Sequence, residues 1–321
     1  MKTLERYEYS TFMIGTSLSP RLTEKEDEFR AEFKLRGGET IKSEVTKEIS
    51  RTIARETGKR IRFKHQDVFL LIDPLLGSMK VTPSSIFIEG RYKKDIRGVN
   101  QKRIRCRSCR TLGCQECDYT GYSSEPSVEG QINHYLLSKF MGSKTVISWV
   151  GGEDSQSLVL GDGRPFFAEI QEPKIRHRIT RSKKMKDGVS LLGIRLLGKR
   201  PPASPKFQLM VRAVIDVGDQ FSKRQMKKLE SFFSKREITA YSPNKRKYFT
   251  KIIHSITLRK VRKRSFTVDI YCDGGLNIKR FISGEKDEIN PSISLALGVD
   301  CHARKEDPFD VLSVKIEDRD H

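Results

Sequence analysis

Residues 149–170 read WVGGEDSQSLVLGDGRPFFAEI, and two glycine-rich turns interrupt this otherwise strand-like stretch. Glu153 and Asp154 follow the first glycine pair, directly after an apolar run. The second turn, Gly161-Asp162-Gly163, stands between LVL and FFAEI, which is typical of a β-hairpin. We therefore predict a strand, an exposed acidic loop and a hairpin. Arg164, one residue past the hairpin turn, would then point back towards Asp154.

Two other interpretations compete for the segment GGEDS. An acid beside glycine is common in ordinary turns, and from composition alone that is the simpler interpretation. The segment also resembles the SGGxDS loop of ATP pyrophosphatases, which holds phosphate at the N-terminus of a following helix. Here the next residues, QSLVL, predict a strand, and Val150 occupies the position of that loop's first serine. The sequence therefore argues against a nucleotide-phosphate loop.

The net positive charge of the chain indicates what kind of partner it binds. The 321 residues indicate two domains, and 62 Lys and Arg against 41 Asp and Glu give a net charge of +21. Such an excess points to a polyanion, with nucleic acid as the first candidate. Basic runs at 175–186, 244–251 and 258–264, interleaved with Tyr248, Phe249 and Phe266, suit an RNA backbone with a stacking surface. The alternative is that each run is a solvated basic face.

No apolar run is long enough for a membrane-spanning helix, and MKTLERYEYSTF has no signal-peptide core. We therefore predict a soluble, cytoplasmic chain that does not contact membranes.

The secondary-structure pattern predicts an α+β fold with many strands and few helices. Ile41, Val45, Ile49 and Ile53 recur every four residues, with Gly58 as a helix stop. Residues 91–105, RYKKDIRGVNQKRIR, are interpreted as a basic linker, and Ser127 as the cap of a helix with an apolar stripe. Apolar residues alternate with polar ones from Phe207 to Ile215, as in a half-buried strand. Further helices are expected near 223–236 and 292–297, and a helix or a strand–helix junction at 275–283. Further strands are expected at 60–63, 67–73, 84–92, 145–150, 247–258, 265–271 and 311–317.

Four cysteines form a C-x2-C-x4-C-x2-C cluster: Cys106, Cys109, Cys114 and Cys117. Four thiolates in two such pairs complete a tetrahedral zinc site, so we predict a structural zinc. The four-residue spacer is short for one ion, and the alternative is a pair of glycine-bearing turns with reduced thiols. Cys272 and Cys301 lie elsewhere and are expected to be free.

These motifs resemble one family, the archaeal and eukaryotic tRNA pseudouridine synthases that act at positions 54 and 55 of the TΨC arm. YEYSTFMIGT and IFIEGRYKKDIRGVNQ are similar to its THUMP-containing, RNA-binding front part. CRSCRTLGCQECDYTGY and SVEGQI resemble its Cys-rich segment and following helix. GGEDSQSLVLGDGRPFFAEI resembles its catalytic motif, and GLNIKRFISGE its distal motif.

The resemblance implies a THUMP-like α/β RNA-binding domain at 1–105 and a Cys-rich connector at 106–126. A pseudouridine-synthase domain with a largely antiparallel mixed sheet would follow at 127–321. It further implies an isomerase that needs no cofactor, acts on the TΨC arm of tRNA, and is a monomer.

By the same resemblance, Asp154 is the catalytic aspartate, which attacks either the base or C1′ of a flipped-out uridine. Lys279 would lower its pKa and orient it. Arg164 would help to extrude the base or fix the loop, and Gly151 and Gly152 would leave room for the ribose.

The chain departs from the family pattern in three places. Phe207, in SPKFQ, stands where the family has a tyrosine against the target base. Asn277 replaces a frequent aromatic residue, and the family's longer N-terminal section does not precede the THUMP-like part. We therefore expect an altered base contact and a different substrate choice or affinity. The alternatives are a catalytically weak tRNA-binding protein or RNA chaperone and, with little support, a thiolase or methyltransferase behind a THUMP-like domain.

Overall fold

The computed structural model describes residues 3–176, 181–219, 223–242, 246–285 and 288–317. Its chain divides into two compact units. The first contains 1–87, 134–146 and 169–178, and the second contains 88–133, 147–168 and 179–321. Among the described residues, we find no helix with the length and apolar character needed to cross a bilayer.

The first unit is built on a small sheet. It contains β1 (Thr11–Thr16), α1 (Pro20–Glu32), α2 (Ile41–Thr57), β2 (Arg60–Ile61), β3 (Val68–Asp73) and β4 (Ser78–Pro83). The strand order is β2-β1-β3-β4, with β1 parallel to both neighbours and β4 antiparallel to β3. Phe12, Val68 and Leu70 are fully buried against Ile53 of α2.

Helix α2 has the bounds that its sequence predicts. The Thr40 hydroxyl accepts a hydrogen bond from the Ser43 amide at 3.1 Å, which caps the helix start. Gly58 ends it with a left-handed φ of 66°. The predicted helix and its stop are therefore confirmed, although Ile41 at the first turn stays exposed.

Most of the remaining strands form one large, largely antiparallel sheet. The elements are β5 (Ile86–Lys94), α3 (Val128–Phe140), β6 (Lys144–Trp149), β7 (Val159–Gln171), β8 (Lys183–Lys184), β9 (Val189–Leu197), β10 (Phe207–Val217), α4 (Lys223–Phe232), β11 (Arg236–Ser242), β12 (Lys247–Val261), β13 (Ser265–Asp273), α5 (Ile278–Ser283), β14 (Ile289–Asn290), α6 (Ile293–Leu297), β15 (Cys301–Ala303) and β16 (Asp310–Ile316). The described strands run in the order β14-β11-β12-β13-β10-β16-β7-β5-β9-β8, while β15 pairs with β10 and β6 with β7.

Strand β10 is the central strand of the second unit. Leu209, Val211 and Ala213 are buried on one face, so the predicted alternation is confirmed. Antiparallel neighbours β13 and β16 flank it. The helices near 223–236, 275–283 and 292–297 are confirmed as α4, α5 and α6, and the Ser127 hydroxyl accepts from the Gly130 amide at the start of α3.

Two sequence-based predictions are wrong. The strand predicted at 84–92 is confirmed as β5, but the linker predicted from residue 91 begins too early, because β5 continues to Lys94. Its even-numbered residues from Ile86 to Lys94 are buried. Buried and less buried residues alternate along this strand, but the basic residues at its end do not show that alternation as apolar against polar residues. The hairpin at Gly161-Asp162-Gly163 is also wrong, because β7 runs through it as one strand. A Cβ at Gly161 would overlap the Leu312 carbonyl oxygen, and one at Gly163 would lie 2.6 Å from that of Tyr92. These glycines permit close approach of neighbouring strands.

Candidate active site

The loop between β6 and β7 carries the acidic pair. Asp154 Oδ2 lies 2.5 Å from the Nζ of Lys279, and its Oδ1 accepts a hydrogen bond from the Gln156 amide at 3.0 Å. Both side chains of the ion pair remain in contact with solvent. After this loop the chain makes a turn and enters β7 without forming a helix, so the argument against a phosphate loop is confirmed.

A short capped helix places Lys279. The Asn277 side chain accepts a hydrogen bond from the Arg280 amide at 3.2 Å, so α5 begins at Ile278. Ile278 and Phe281 are buried and anchor the helix, which leaves Lys279 exposed in its first turn. Asn277, a departure from the family pattern, is therefore the cap of the helix that carries the lysine.

The charge state of Asp154 follows from its surroundings. Partial burial acts to raise the pKa of this carboxyl, but hydrogen bonds from Lys279 and from the Gln156 amide outweigh it. The charges of Lys279 and Lys94 act in the same direction as these bonds. The pKa of Asp154 is therefore below its ordinary value, and the group is an anion at neutral pH.

A buried network lies beneath the loop. The carboxylate of Glu153 is fully buried and accepts hydrogen bonds from the Tyr92 hydroxyl at 2.6 and 2.7 Å. The Gln101 amide donates to both groups, at 2.8 Å to the Tyr92 oxygen and 3.2 Å to Glu153. Burial, followed by the charge of Glu153, raises the pKa of Tyr92 well above its usual value, so its hydroxyl stays a donor.

Arg164 points back to this loop, as expected, but its ionic partner is Glu153 and not Asp154. Its Nε lies 2.8 Å from Glu153 Oε2, in an ion pair between two fully buried side chains. Its other nitrogens donate to the carbonyl oxygens of Val150 at 2.8 Å and Gly152 at 3.2 Å. Arg164 thus joins the end of β6 to the glycine loop.

A cavity of about 380 Å³ opens beside the ion pair. Its lining includes Asp154, Arg164, Phe207 and Lys279, so the structure brings all four predicted residues of the site together. The Phe207 ring is half-buried and packs closely against two glycines. A Cβ at Gly151 would come within 2.8 Å of the ring's Cζ, and a Cβ at Gly274 would overlap the ring.

Sequence reasoning missed Tyr92, Lys94 and Gln101, which all lie in the segment interpreted as a linker. Lys94 is fully buried and donates from Nζ to the carbonyl oxygens of Val99, Asp154 and Ser155. The alternation from Ile86 through Ile88, Gly90 and Tyr92 to Lys94 was the signal that could have identified an inward-facing lysine.

The four clustered cysteines lie in a separate place and converge. All four Sγ atoms are within 4.8 Å of one another. Three Sγ pairs are separated by 3.7–3.8 Å: Cys106 with Cys114, Cys109 with Cys117, and Cys114 with Cys117. Amides of Gly113, Cys114 and Gly121 point at these sulfurs from 3.2–3.3 Å. This group could hold a metal ion despite its short spacer.

The cluster is enclosed by two tight turns. A Cβ at Gly113 would lie 2.9 Å from the Tyr119 carbonyl oxygen, and one at Gly121 would lie 2.7 Å from that of Thr111. Burial acts to raise the pKa of Cys117, but amide hydrogen bonds from Cys114 and Gly121 lower it to about 6, while burial and hydrogen bonds with Cys117 and Cys106 raise the pKa of Cys114 to about 12. A thiolate is the form that a metal binds.

Comparison with known families shows what kind of protein carries this site. Residues 1–73 match the Pus10 THUMP domain in its archaeal form, and residues 87–192 and 205–315 match the Pus10 C-terminal region. Together they define a protein with an N-terminal THUMP domain and a Pus10 C-terminal region. The chain belongs to the Pus10 family, which confirms the resemblance of its motifs and the α+β fold.

Curated relatives agree with this assignment. The chain is 32% identical over 305 residues to the tRNA pseudouridine synthase Pus10 of Nitrosopumilus maritimus, covering 95% of this chain and 79% of the relative. It is 32% identical over 331 residues to that of Methanocaldococcus jannaschii, covering 98% and 70%. A solved Cbf5–Nop10–Gar1 complex matches at 14% identity and a TM-score of 0.36, over 58% of this chain and 45% of the other.

Proposed function

We propose that this protein converts uridine to pseudouridine in the TΨC arm of tRNA, at position 55, position 54 or both. The observation that carries the proposal is the ion pair between Asp154 and Lys279 at a cavity lined by Phe207, in a member of the Pus10 family. We further propose that the protein acts as a cytoplasmic monomer.

The reaction breaks the N1–C1′ bond of uridine, turns the uracil and rejoins it to the ribose through C5, which then loses its proton while N1 gains one. Asp154 serves as the nucleophile, at the base or at C1′, because it is the ionised carboxylate exposed to the cavity. Lys279 keeps it ionised and fixes its direction. The uridine reaches this carboxylate by flipping out of the RNA stack.

Two cavity residues take positioning roles. The Phe207 ring supplies a stacking surface for the flipped uracil, since it lines the cavity from the end of β10. Phenylalanine has no hydroxyl, so it takes no part in deprotonating C5. Of the two roles expected for Arg164, fixing the loop fits its fully buried guanidinium and its bonds to Val150 and Gly152.

The chemistry needs no cofactor, and we propose a structural zinc at Cys106, Cys109, Cys114 and Cys117. Four thiolates about 2.3 Å from a tetrahedral zinc lie about 3.8 Å apart. The three measured Sγ separations of 3.7–3.8 Å match that spacing. The ion would tie together two turns that contribute little apolar surface of their own.

Mapping pseudouridine at single-nucleotide resolution tests the function. An unmodified tRNA transcript incubated with the pure protein should gain pseudouridine in the TΨC arm without ATP or S-adenosylmethionine. The Asp154→Asn variant should bind the same tRNA with nearly unchanged affinity and form no product, since basic surface elsewhere supplies affinity. Binding without product by the unmutated protein would favour an RNA-binding protein or chaperone.

A further inference from the structure

The loop that carries Asp154 has little support of its own. Residues 151–158 lie outside helix and strand, and Gly151 has a left-handed φ of 76°. A carboxylate on such a loop keeps its direction only if neighbouring elements hold the main chain. Strand β5 supplies Lys94, which binds the main chain of the loop, and Tyr92, which binds the side chain of Glu153 in the same loop.

Tyr92 and Lys94 are two residues apart on β5, so they project from the same face of the strand. Both side chains are fully buried. They reach the same loop at consecutive residues, because the Tyr92 hydroxyl binds the side chain of Glu153 and the Lys94 ammonium binds the carbonyl of Asp154.

The contacts of Lys94 are unusual for a buried ammonium. Its three acceptors are main-chain carbonyls: Val99 at 2.8 Å, Asp154 at 3.1 Å and Ser155 at 3.3 Å. Two of these belong to the loop, and the third belongs to the segment that follows β5. Burying an ammonium is costly unless it is well hydrogen-bonded, so its retention here implies a specific task.

We propose that Lys94 and Tyr92 are positioning residues for Asp154, holding the catalytic loop from beneath so that the carboxylate stays directed at the reacting nucleoside. Lys94 fixes the main chain of Asp154 and Ser155 and places a positive charge behind the nucleophile. Tyr92 fixes Glu153, which Arg164 and Gln101 hold from other sides. The proposal rests on Asp154 being the nucleophile.

Two substitutions separate this role from simple packing. Lys94→Met keeps the length and apolar stem of the side chain but removes its charge and donors. Tyr92→Phe removes only the hydroxyl. A loop misplaced by about 1 Å loses on the order of a hundredfold in rate. We therefore expect single-turnover kcat to fall about tenfold to a hundredfold in Lys94→Met and less in Tyr92→Phe, with KM for tRNA unchanged.

The pH profile gives a second readout. The charged groups around Asp154 include Lys279 from α5, Lys94 from β5, Glu153 in its own loop and Arg164 from β7. Further along the loop, the guanidinium of Arg97 donates to the Gln156 carbonyl, and Asp310 accepts from the Leu158 amide and pairs with Arg97. Loss of the Lys94 charge removes one influence that lowers the pKa of Asp154. The acid limb of the rate profile should shift upward in Lys94→Met and stay in place in Tyr92→Phe.

Lys93→Met is the matched control, because Lys93 lies between the two residues and projects from the opposite face of β5. It should leave kcat and the acid limb unchanged. Variants that lose only thermal stability, with normal turnover per folded molecule and a normal acid limb, would overturn the proposal. If Lys94→Met does not fold, Tyr92→Phe decides, and normal turnover in that variant refutes the shared role.

Asp154→Asn distinguishes this failure from failure of the proposed function. An active Asp154→Asn variant would remove the nucleophile itself. If Asp154→Asn is inactive while Lys94→Met and Tyr92→Phe have normal turnover, the proposed function stands and only the positioning role is refuted.

Discussion

At the scale of single residues, the site depends on an ion pair whose members are 125 residues apart in the chain. Lys279 exerts the strongest lowering influence on the pKa of Asp154, ahead of the Gln156 amide and Lys94. The direction of that shift determines how activity should respond to acid.

Activity should be insensitive to acid until the pH falls below the ordinary range of an aspartate. Because the folded pKa of Asp154 is lowered, the active anion is lost only as pH falls through that lowered value. Lys279→Met removes the main lowering influence, so its acid limb should move to higher pH. Lys279→Arg keeps the positive charge, so it should shift the acid limb of the rate profile less than Lys279→Met does. Single-turnover rates across pH measure this, and an unmoved limb in Lys279→Met would contradict it.

Phe207 can be a stacking surface or a core residue, and the two roles predict different losses. Stacking on a base is worth roughly 1–3 kcal/mol, so Phe207→Ala should reduce turnover about tenfold to a hundredfold. Phe207→Tyr keeps the ring and should retain turnover. A core role predicts instead about 3–5 kcal/mol lower stability for Ala. Thermal melting and single-turnover rates separate them, and normal turnover per folded Ala variant would rule out stacking.

At the scale of elements, the Cys turns are expected to depend on their metal. Purification without chelator should yield one zinc per chain, and removing it should lower the melting temperature and expose four further thiols. Cys301→Ala is the control, because burial raises the pKa of that thiol to about 11 and it lies outside the cluster. Fully folded, metal-free protein with four titratable thiols at 106–117 would contradict the prediction.

At the scale of the whole molecule, the net charge of +21 predicts tRNA binding that weakens steeply with salt. The end of β12 and the turn that leads to β13 expose Lys260, Arg262 and Lys263. Ser265, the first residue of β13, pairs with Asp216 near the end of β10, whereas Phe207 is the first residue of β10. Nine residues of strand separate the two positions, which corresponds to about 30 Å. Reversing these three charges therefore leaves the cavity untouched.

The triple variant Lys260→Glu, Arg262→Glu and Lys263→Glu should weaken tRNA affinity and keep single-turnover kcat at saturating tRNA. Each lost phosphate contact reduces the salt slope by about 0.7–0.9, so three lost contacts should flatten it by about two to three units. Affinity measured across a series of salt concentrations gives both quantities. An unchanged slope would show that this turn makes no contact with the RNA.

The sequence by itself determined the elements with a clear period and the residues with a clear chemistry. Apolar spacing predicted α2 and β10, and the C-x2-C pairs predicted a convergent thiol cluster. Motif resemblance predicted the family and chose Asp154, Lys279, Phe207 and Arg164, which the fold brings to one cavity. Each of these signals lies within a few neighbouring residues of the chain.

Only the tertiary structure decided what lies beneath the loop that carries Asp154. The alternation of β5 indicates that Lys94 faces inward, but no local signal shows that the loop of Asp154 supplies its hydrogen-bond acceptors. Gly161 and Gly163 look like a turn in the sequence, because the strands that contact them lie far away along the chain. Close approach and the identity of hydrogen-bond partners depend on segments that are distant in sequence, so a single segment cannot reveal them.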